Sequence, residues 1–157
     1  MKEKLKLYLV TDRDLSLGRP LEEIVSEAVA GGVTMVQLRE KDAATGEFVE
    51  LGRRLMSLLK PLGVPLIIND RVDVALAVDA DGVHIGQSDM SYADARRLLG
   101  PEKIIGLSVE NFEDLESANK LDVDYILSGR TPDMDKILSL CNAESIHKEV
   151  TSKRIGF

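Results

Sequence analysis

Gln37, Arg39 and Lys41 stand at alternate positions and carry the strongest chemical signal in the chain. On an extended segment they point to one side. Two cations and an amide converging from one strand end make a site for an oxyanion, with Arg as a bidentate fork and Lys as a point charge. The competing role is a solvated strand end with surface salt bridges. Asp70 ends a later apolar run, and Asp89 follows the next one. A phosphate site alone does not explain two carboxylates beside those cations. A Mg²⁺ between them does, because Mg²⁺ takes one or two carboxylates together with waters and substrate phosphates. Each Asp also just precedes a predicted helix, so N-capping competes with metal binding. Asn69 either positions a ligand or closes a turn. Ser108 either donates to a phosphate oxygen or satisfies a backbone group. His84 lies within an apolar run and reads as a hydrogen-bonded core histidine rather than a catalyst. Arg13 and Arg71 flank strand ends and are open between pocket and surface, and no Ser-His-Asp arrangement can be assembled with any specificity.

The elements that must hold these residues alternate between short β-rich runs and helical stretches. Leu7–Asp12, Thr34–Arg39, Val64–Asn69, Gly82–Gly86, Ile104–Val109 and Asp124–Ser128 are the predicted strands. Helices are predicted from Pro20 to the Gly31-Gly32 pair, over about 45–62, over 72–78, from Ser91 to about Leu99, and over about 112–119. Pro in the first turn, acidic residues after it and Gly at the end mark the first helix. Phe48, Leu51, Leu55, Leu58 and Leu59 give the second its apolar stripe. Ser91 with Asp94 forms a capping-box pattern in which Asp replaces Glu. Tyr8 and Met35 read as core.

Six strands separated by helices make repeated βα units, hence a parallel sheet with right-handed crossovers. Nearly every predicted strand ends in a polar cluster, as in a (β/α)₈ barrel, where one face gathers site residues from many strands. A doubly wound sheet concentrates them at a switch point, often beside a glycine fingerprint, and the chain has no GxGxxG or GxxxxGK[ST]. The expected class is therefore α/β, of the (β/α) TIM-barrel type. Eight units need about 200 to 250 residues, and this chain has 157. The reading is one domain over residues 1–157, incomplete or remodelled after the sixth strand, with 130–157 a divergent tail that includes a helical stretch over about 133–141.

Composition narrows the function classes. Hydrophobic residues make up 44% and charged residues 30%, which excludes collagen-like, low-complexity and disordered chains. The net charge of −7 argues against a nucleic-acid backbone binder while leaving room for a local basic pocket. Cys141 is the single cysteine, so no internal disulfide forms, and no CxxC or His-rich cluster suggests zinc. No apolar run approaches the roughly 20 residues of a membrane span, and the basic N-terminus has no apolar segment after it. The expected location is the cytoplasm.

The ordered motifs Leu7-Tyr8-Leu9-Val10-Thr11-Asp12, Gln37-Leu38-Arg39-Glu40-Lys41, Ile68-Asn69-Asp70-Arg71 and Gly82 to Asp89 resemble the thiamine-phosphate synthase family and its thiazole tautomerase relatives. Gly106-Leu107-Ser108 and Asp124-Tyr125-Ile126 continue the match, which covers about residues 5–127. The resemblance implies a (β/α)₈ barrel and a Mg²⁺-dependent transferase. Such an enzyme joins hydroxymethylpyrimidine diphosphate to thiazole phosphate and releases pyrophosphate. It implies that Gln37, Arg39 and Lys41 hold the diphosphate, that Asn69 and Ser108 contact substrate, and that Asp70 and Asp89 are the Mg²⁺ ligands. Arg39, Lys41 and Ser108 are the expected catalytic residues. The implied mechanism is dissociative: pyrophosphate leaves, a pyrimidine carbocation forms, and the thiazole nitrogen attacks it.

The sequence departs from the family pattern after the sixth strand. The family continues with Gly-x-Gly-Pro and a Phe-Thr-x-Thr-Lys-like loop, whereas this chain reads Leu127-Ser128-Gly129-Arg130-Thr131-Pro132-Asp133-Met134-Asp135-Lys136. Thr131 and Lys136 align only loosely with that loop, and the acceptor half of the pocket is not recognisable. A second reading is therefore a homologue that binds a phosphorylated ligand or a partner chain without turnover. A thiazole tautomerase-like regulatory protein is a lesser match, because that branch places a catalytic His where this chain has Glu110 and Asn111. An open six-stranded sheet exposes two edges, so we expect a homo-oligomer. Sedimentation velocity at rising concentration should show self-association; a clean monomer at high concentration contradicts it.

Overall fold

The computed structural model describes residues 1–128. Its elements follow in strict alternation: β1 (Tyr8–Val10), α1 (Leu21–Ala30), β2 (Met35–Leu38), α2 (Thr45–Leu59), β3 (Leu66–Asn69), α3 (Val72–Val78), β4 (Gly82–Ile85), α4 (Tyr92–Leu99), β5 (Ile104–Val109), α5 (Phe112–Asn119) and β6 (Tyr125–Ser128). All six strands are parallel and lie in sequence order, β1-β2-β3-β4-β5-β6. A doubly wound sheet must reverse its strand order at a switch point, and this one does not.

The sheet is curled. A flat sheet would place β1 and β6 five strand spacings apart, about 24 Å. Instead the hydroxyls of Tyr8 on β1 and Tyr125 on β6 are 2.7 Å apart, and their rings meet edge to face with centroids at 5.6 Å. This is the inward curl of a (β/α) barrel, as the sequence led us to expect. The expected tail, with Thr131, Lys136, Cys141 and the helix over 133–141, lies outside the described residues.

Strand alternation sorts the side chains into two cores. Outward-facing Val36, Leu38, Leu66, Ile68, Val83, Ile85, Ile105, Leu107 and Ile126 are buried beneath the helices. Phe48, Leu51, Leu55 and Leu59 of α2 complete that layer, and Gly52 lets α2 approach Val78 of α3. Inward-facing Met35, Ile67, Ile104 and Tyr125 form a smaller cluster with Leu5 and Tyr8. Polar Gln37, Asn69, His84 and Ser108 lie further along the same strands, so the interior changes from apolar to polar toward the strand C-termini.

Local chemistry sets the boundaries. Leu59 ends α2 and a 3₁₀ turn, Lys60–Leu62, follows, because Pro61 has no N–H to continue the helix. Gly63 then takes a left-handed φ of 66°. Pro65 keeps β3 from starting at Val64, although its carbonyl still accepts Val36 N–H at 3.0 Å. At the N-terminal end of the sheet, Asp81 accepts from Leu66 N–H and Asp124 from Ile105 N–H, each at 2.9 Å. These carboxylates satisfy strand-end donors on the face opposite the candidate site.

Gly106 and Gly82 point inward, where space is shortest. A Cβ on Gly106 would lie 2.0 Å from Cζ of Tyr125, and one on Gly82 would lie 2.1 Å from the Ile104 carbonyl oxygen. In contrast, a Cβ on Gly46 in α2 meets nothing within 4 Å. The same substitution should therefore act in opposite directions. In urea unfolding, Gly106→Ala should lower stability by about 1–3 kcal/mol through overpacking. Gly46→Ala should raise it by about 0.5 kcal/mol through helix propensity.

Candidate active site

The segment after β2 holds its charged residues by opposite faces. Thr11, buried after β1, accepts the Arg39 N–H at 3.0 Å, and its own N–H donates to the Gln37 carbonyl at 2.9 Å. The Arg39 guanidinium lies 3.2 Å from an Asp12 carboxylate oxygen. The other Asp12 oxygen accepts N–H groups from Asp14 and Leu15, which fixes the loop after β1. Glu40 points the other way: its buried carboxylate takes a 2.8 Å hydrogen bond from Arg13 Nε. Arg13 is thus an exposed tie between two loops. Arg71 pairs with Asp73 and Thr45 and is likewise a surface residue.

Asn69 ends β3, and Asp70 follows with a left-handed φ of 62°. That backbone lets Asp70 N–H donate to the His84 carbonyl of β4 at 2.8 Å. Asp89 lies in the turn after β4, where one carboxylate oxygen accepts Gly86 N–H at 2.7 Å. The Asp70 and Asp89 carboxyls are in hydrogen-bond contact with each other. Burial, then this contact and the like charge, push Asp70 up to about 6, while the Asn69 side chain and the Lys41 ammonium pull it partly back.

Neither carboxylate caps a helix. The residue before α3 is Arg71, with no side-chain capping bond. Ser91 caps α4: Asp94 N–H donates to its hydroxyl oxygen at 3.2 Å, and that hydroxyl donates to the Asp94 carboxylate at 2.8 Å. The capping alternative for Asp70 and Asp89 is therefore removed. Asp89 keeps one oxygen on the Gly86 N–H and Asp70 takes a hydrogen bond from the Asn69 side chain, and among the described residues neither carboxyl has a direct cationic partner. The two together form a hard oxygen-donor pair, which suits a Mg²⁺-like cation.

A chain of side-chain hydrogen bonds crosses the interior below this cluster. Gln37 Nε2 donates to the Tyr8 hydroxyl at 2.7 Å, and the Tyr8 and Tyr125 hydroxyls are in contact. Tyr125 meets His84 Nδ1 at 3.1 Å, and His84 Nε2 meets the Ser108 hydroxyl at 2.9 Å. Gln87 Nε2 donates to the Ser108 carbonyl at 2.6 Å. Burial pushes the His84 imidazole down to about 4 and raises both tyrosines well above their ordinary range. His84 is the hydrogen-bonded core histidine expected from its apolar strand.

The sequence-predicted residues thus gather in two connected sets. Lys41, Asn69, Asp70 and Asp89 lie together at the strand C-termini. Gln37 and Ser108 are joined through the interior chain, while the Arg39 side chain pairs with Asp12 in the loop after β1. Sequence reasoning missed Tyr8 and Tyr125 as polar partners and treated Tyr8 as plain core. Gly106 leaves room for the Tyr125 ring, but a glycine alone does not name the side chain that fills its space. The arrangement offers cations, a carboxylate pair and neutral hydrogen-bonding groups. His84 is occupied by neutral partners and does not supply a general base near neutral pH.

The chain is similar to known proteins along most of its length. The family model described as thiamine monophosphate synthase matches residues 7–147, past the sixth strand. A thiamine-phosphate synthase from Solidesulfovibrio magneticus is 58% identical over 123 residues, covering 78% of this chain and 58% of that protein. One from Clostridium novyi is 42% identical over 152 residues, covering 93% of this chain and 74% of that protein. The chain thus spans less than three-fifths of the length of the Solidesulfovibrio relative. Among solved structures, a thiamine phosphate pyrophosphorylase from Pyrococcus furiosus superposes with a TM-score of 0.75 at 44% identity, covering 82% of this chain and 62% of that one. An Escherichia coli aldolase shares the fold alone, with a TM-score of 0.55 at 14% identity over 79% of this chain and 54% of that one. With the motif order, the curled parallel sheet and these matches in agreement, the chain belongs to the thiamine monophosphate synthase family.

Proposed function

We propose that the chain is a thiamine-phosphate synthase-type transferase that couples hydroxymethylpyrimidine diphosphate to thiazole phosphate, giving thiamine phosphate and pyrophosphate. The observation that carries this reading is the Asp70–Asp89 carboxyl pair beside Lys41, which caps no helix and leaves a charge conflict for a cation to resolve. The names of the relatives support it. Gln37, Arg39 and Lys41 hold the diphosphate, Asn69 and Ser108 contact substrate, and Asp70 with Asp89 hold Mg²⁺. When bound, Mg²⁺ supplies charge neutralisation for the departing diphosphate. Arg39 and Lys41 add fixed positive charge at the same end. The bond from the pyrimidine methylene carbon to the diphosphate oxygen breaks with its electron pair on pyrophosphate. The thiazole nitrogen then forms the new C–N bond. No proton transfer by a side chain is needed, in keeping with a neutral, buried His84. These are small-molecule substrates, and no helix among the described residues is long and apolar enough to cross a membrane. We place the chemistry in the cytoplasm.

The second reading, ligand binding without turnover, draws on the sequence after Gly129, where the family's acceptor-loop pattern is not matched. One assay separates the two. The chain is mixed with both substrates and Mg²⁺, and thiamine phosphate is measured by fluorescence after oxidation. Product should form and should fall at least about 100-fold in Arg39→Ala and in Asp89→Ala, with folding retained. No product from the folded chain, with diphosphate still bound, selects the second reading. Unchanged activity in both variants removes the site assignment.

The carboxyl pair also predicts a pH-dependent response to metal. Asp70 is raised in the fold above its ordinary value of 3.8, to about 6. It therefore contributes stability at low pH that is lost as pH rises through about 6. A cation that neutralises the pair reverses that loss. In thermal unfolding, the rise in Tm on adding Mg²⁺ should grow as pH increases through about 6 and should vanish in Asp89→Asn. A pH-independent rise, or one retained in Asp89→Asn, contradicts the assignment.

A further inference from the structure

The interior chain of hydrogen bonds has a direction. Each phenol has one proton to give and an oxygen that accepts. Gln37 presents its amide nitrogen to Tyr8, so the Tyr8 oxygen accepts at that contact. The Tyr8 proton then has one partner within reach, the Tyr125 oxygen at 2.7 Å. Tyr125 in turn gives its proton to His84 Nδ1 at 3.1 Å. A neutral imidazole that accepts at Nδ1 carries its proton at Nε2, which faces the Ser108 oxygen at 2.9 Å. Each phenol and imidazole proton in the series then has one acceptor, as groups this deep in the fold require. The last hydrogen, that of Ser108, is left over. Ser108 is half-buried near the end of β5, at the same end as the carboxyl pair, while His84 is 3% exposed.

We propose that Gln37, Tyr8, Tyr125 and His84 form a proton-ordering relay that holds His84 as the Nε2–H tautomer and leaves Ser108 to meet a ligand as a hydrogen-bond donor. Tyr125 and His84 are positioning residues in this scheme, acting through Ser108. The inference rests on the proposed reading of the strand C-termini as the substrate site. Reversing the relay requires Gln37 to turn its carbonyl toward Tyr8. Every proton then reverses, His84 carries hydrogen at Nδ1, and Ser108 becomes an acceptor from the ligand. The two directions thus differ in one observable proton.

Long-range ¹H–¹⁵N correlation spectra of the ¹⁵N-histidine-labelled chain read that proton directly. The chain has two histidines, His84 and His147, and His147→Asn assigns the signals. The relay requires the Nε2–H tautomer for His84 in the unmodified protein, replaced by a tautomer mixture in Tyr125→Phe, which removes only the hydroxyl. The Nδ1–H tautomer in the unmodified protein overturns it. Kinetics give an independent reading through non-additivity. Ser108→Ala should lower kcat/KM about tenfold in the unmodified chain, the order expected for one lost hydrogen bond. It should lower it less than about threefold when Tyr125→Phe is already present. Equal losses in the two backgrounds would make Tyr125 merely structural and overturn the positioning role. If the unmodified chain forms no product, the transferase reading fails, and the tautomer of His84 still decides the relay.

Discussion

The contact between Tyr8 and Tyr125 is the constraint on which the described structure depends. It closes the distance between the first and last strands across the interior, and two hydroxyls in hydrogen-bond contact there are affordable only if both are fully paired. That condition propagates. Tyr125 needs space, so Gly106 has no side chain beneath its ring. Tyr8 needs a donor, so Gln37 is drawn into the interior and is 2% exposed. Tyr125 needs a second partner, and His84 stacks against it with ring centroids 5.5 Å apart. The curl of the sheet, the glycine positions and the polar interior are consequences of one arrangement rather than separate features.

Above this neutral layer the electrostatics reverse character. The chain carries a net charge of −7, yet Lys41 stands near the Asp70–Asp89 pair and Arg39 near Asp12 at the strand C-termini. Their mutual neutralisation is incomplete. Asp12 takes up part of the Arg39 charge, and Lys41 only partly offsets the burial and the like charge of Asp89 that lift Asp70. A fold that placed these groups for stability alone would have separated the carboxylates or used them as caps, as it does with Asp94 in the first turn of α4 and with Asp81 and Asp124 at the far end of the sheet. Unresolved like charge at one end and satisfied carboxylates at the other support the proposed reading of the strand C-termini as the ligand end.

Much of this was legible in the sequence because it rests on local patterns. Alternating apolar runs placed all six strands, and β5, α3 and α5 fall at the predicted residues. Two of the moved boundaries trace to one residue each, Pro61 at the end of α2 and Pro65 at the start of β3, while β1, β2, β4 and β6 are each shorter than expected. Gln37, Arg39 and Lys41 were expected to share one side of an extended segment; β2 ends at Leu38, and their neighbours differ, Tyr8 for Gln37, Asp12 for Arg39 and Asp70 for Lys41. Competition between capping and ligand roles at Asp70 and Asp89 was not resolvable from sequence, because both roles ask for Asp at a strand-to-helix junction. The Ser91–Asp94 capping box was read from the sequence and is observed, whereas the contact between the two carboxyls appears only in the fold. The Tyr8–Tyr125 pairing was illegible for a different reason. It joins residues 117 positions apart through side chains alone, with no backbone ladder between their strands to signal it.

The division between a neutral interior and a charged mouth also bears on why a histidine at the heart of a barrel is not its base. His84 has both ring nitrogens committed to neutral partners, and burial holds it uncharged well below its ordinary range. A general base there would have to accept a proton and become a cation in a site lined by tyrosines. That is costly because burial outweighs the Asp89 carboxylate, which favours the imidazolium. A reaction that separates an anionic leaving group from a cationic carbon asks for something else: charge stabilisation at the mouth and a fixed array of neutral dipoles beneath it. On the proposed transferase reading, the cations and the carboxyl pair would meet the departing negative charge, and the ordered hydroxyls would sit where no proton has to move.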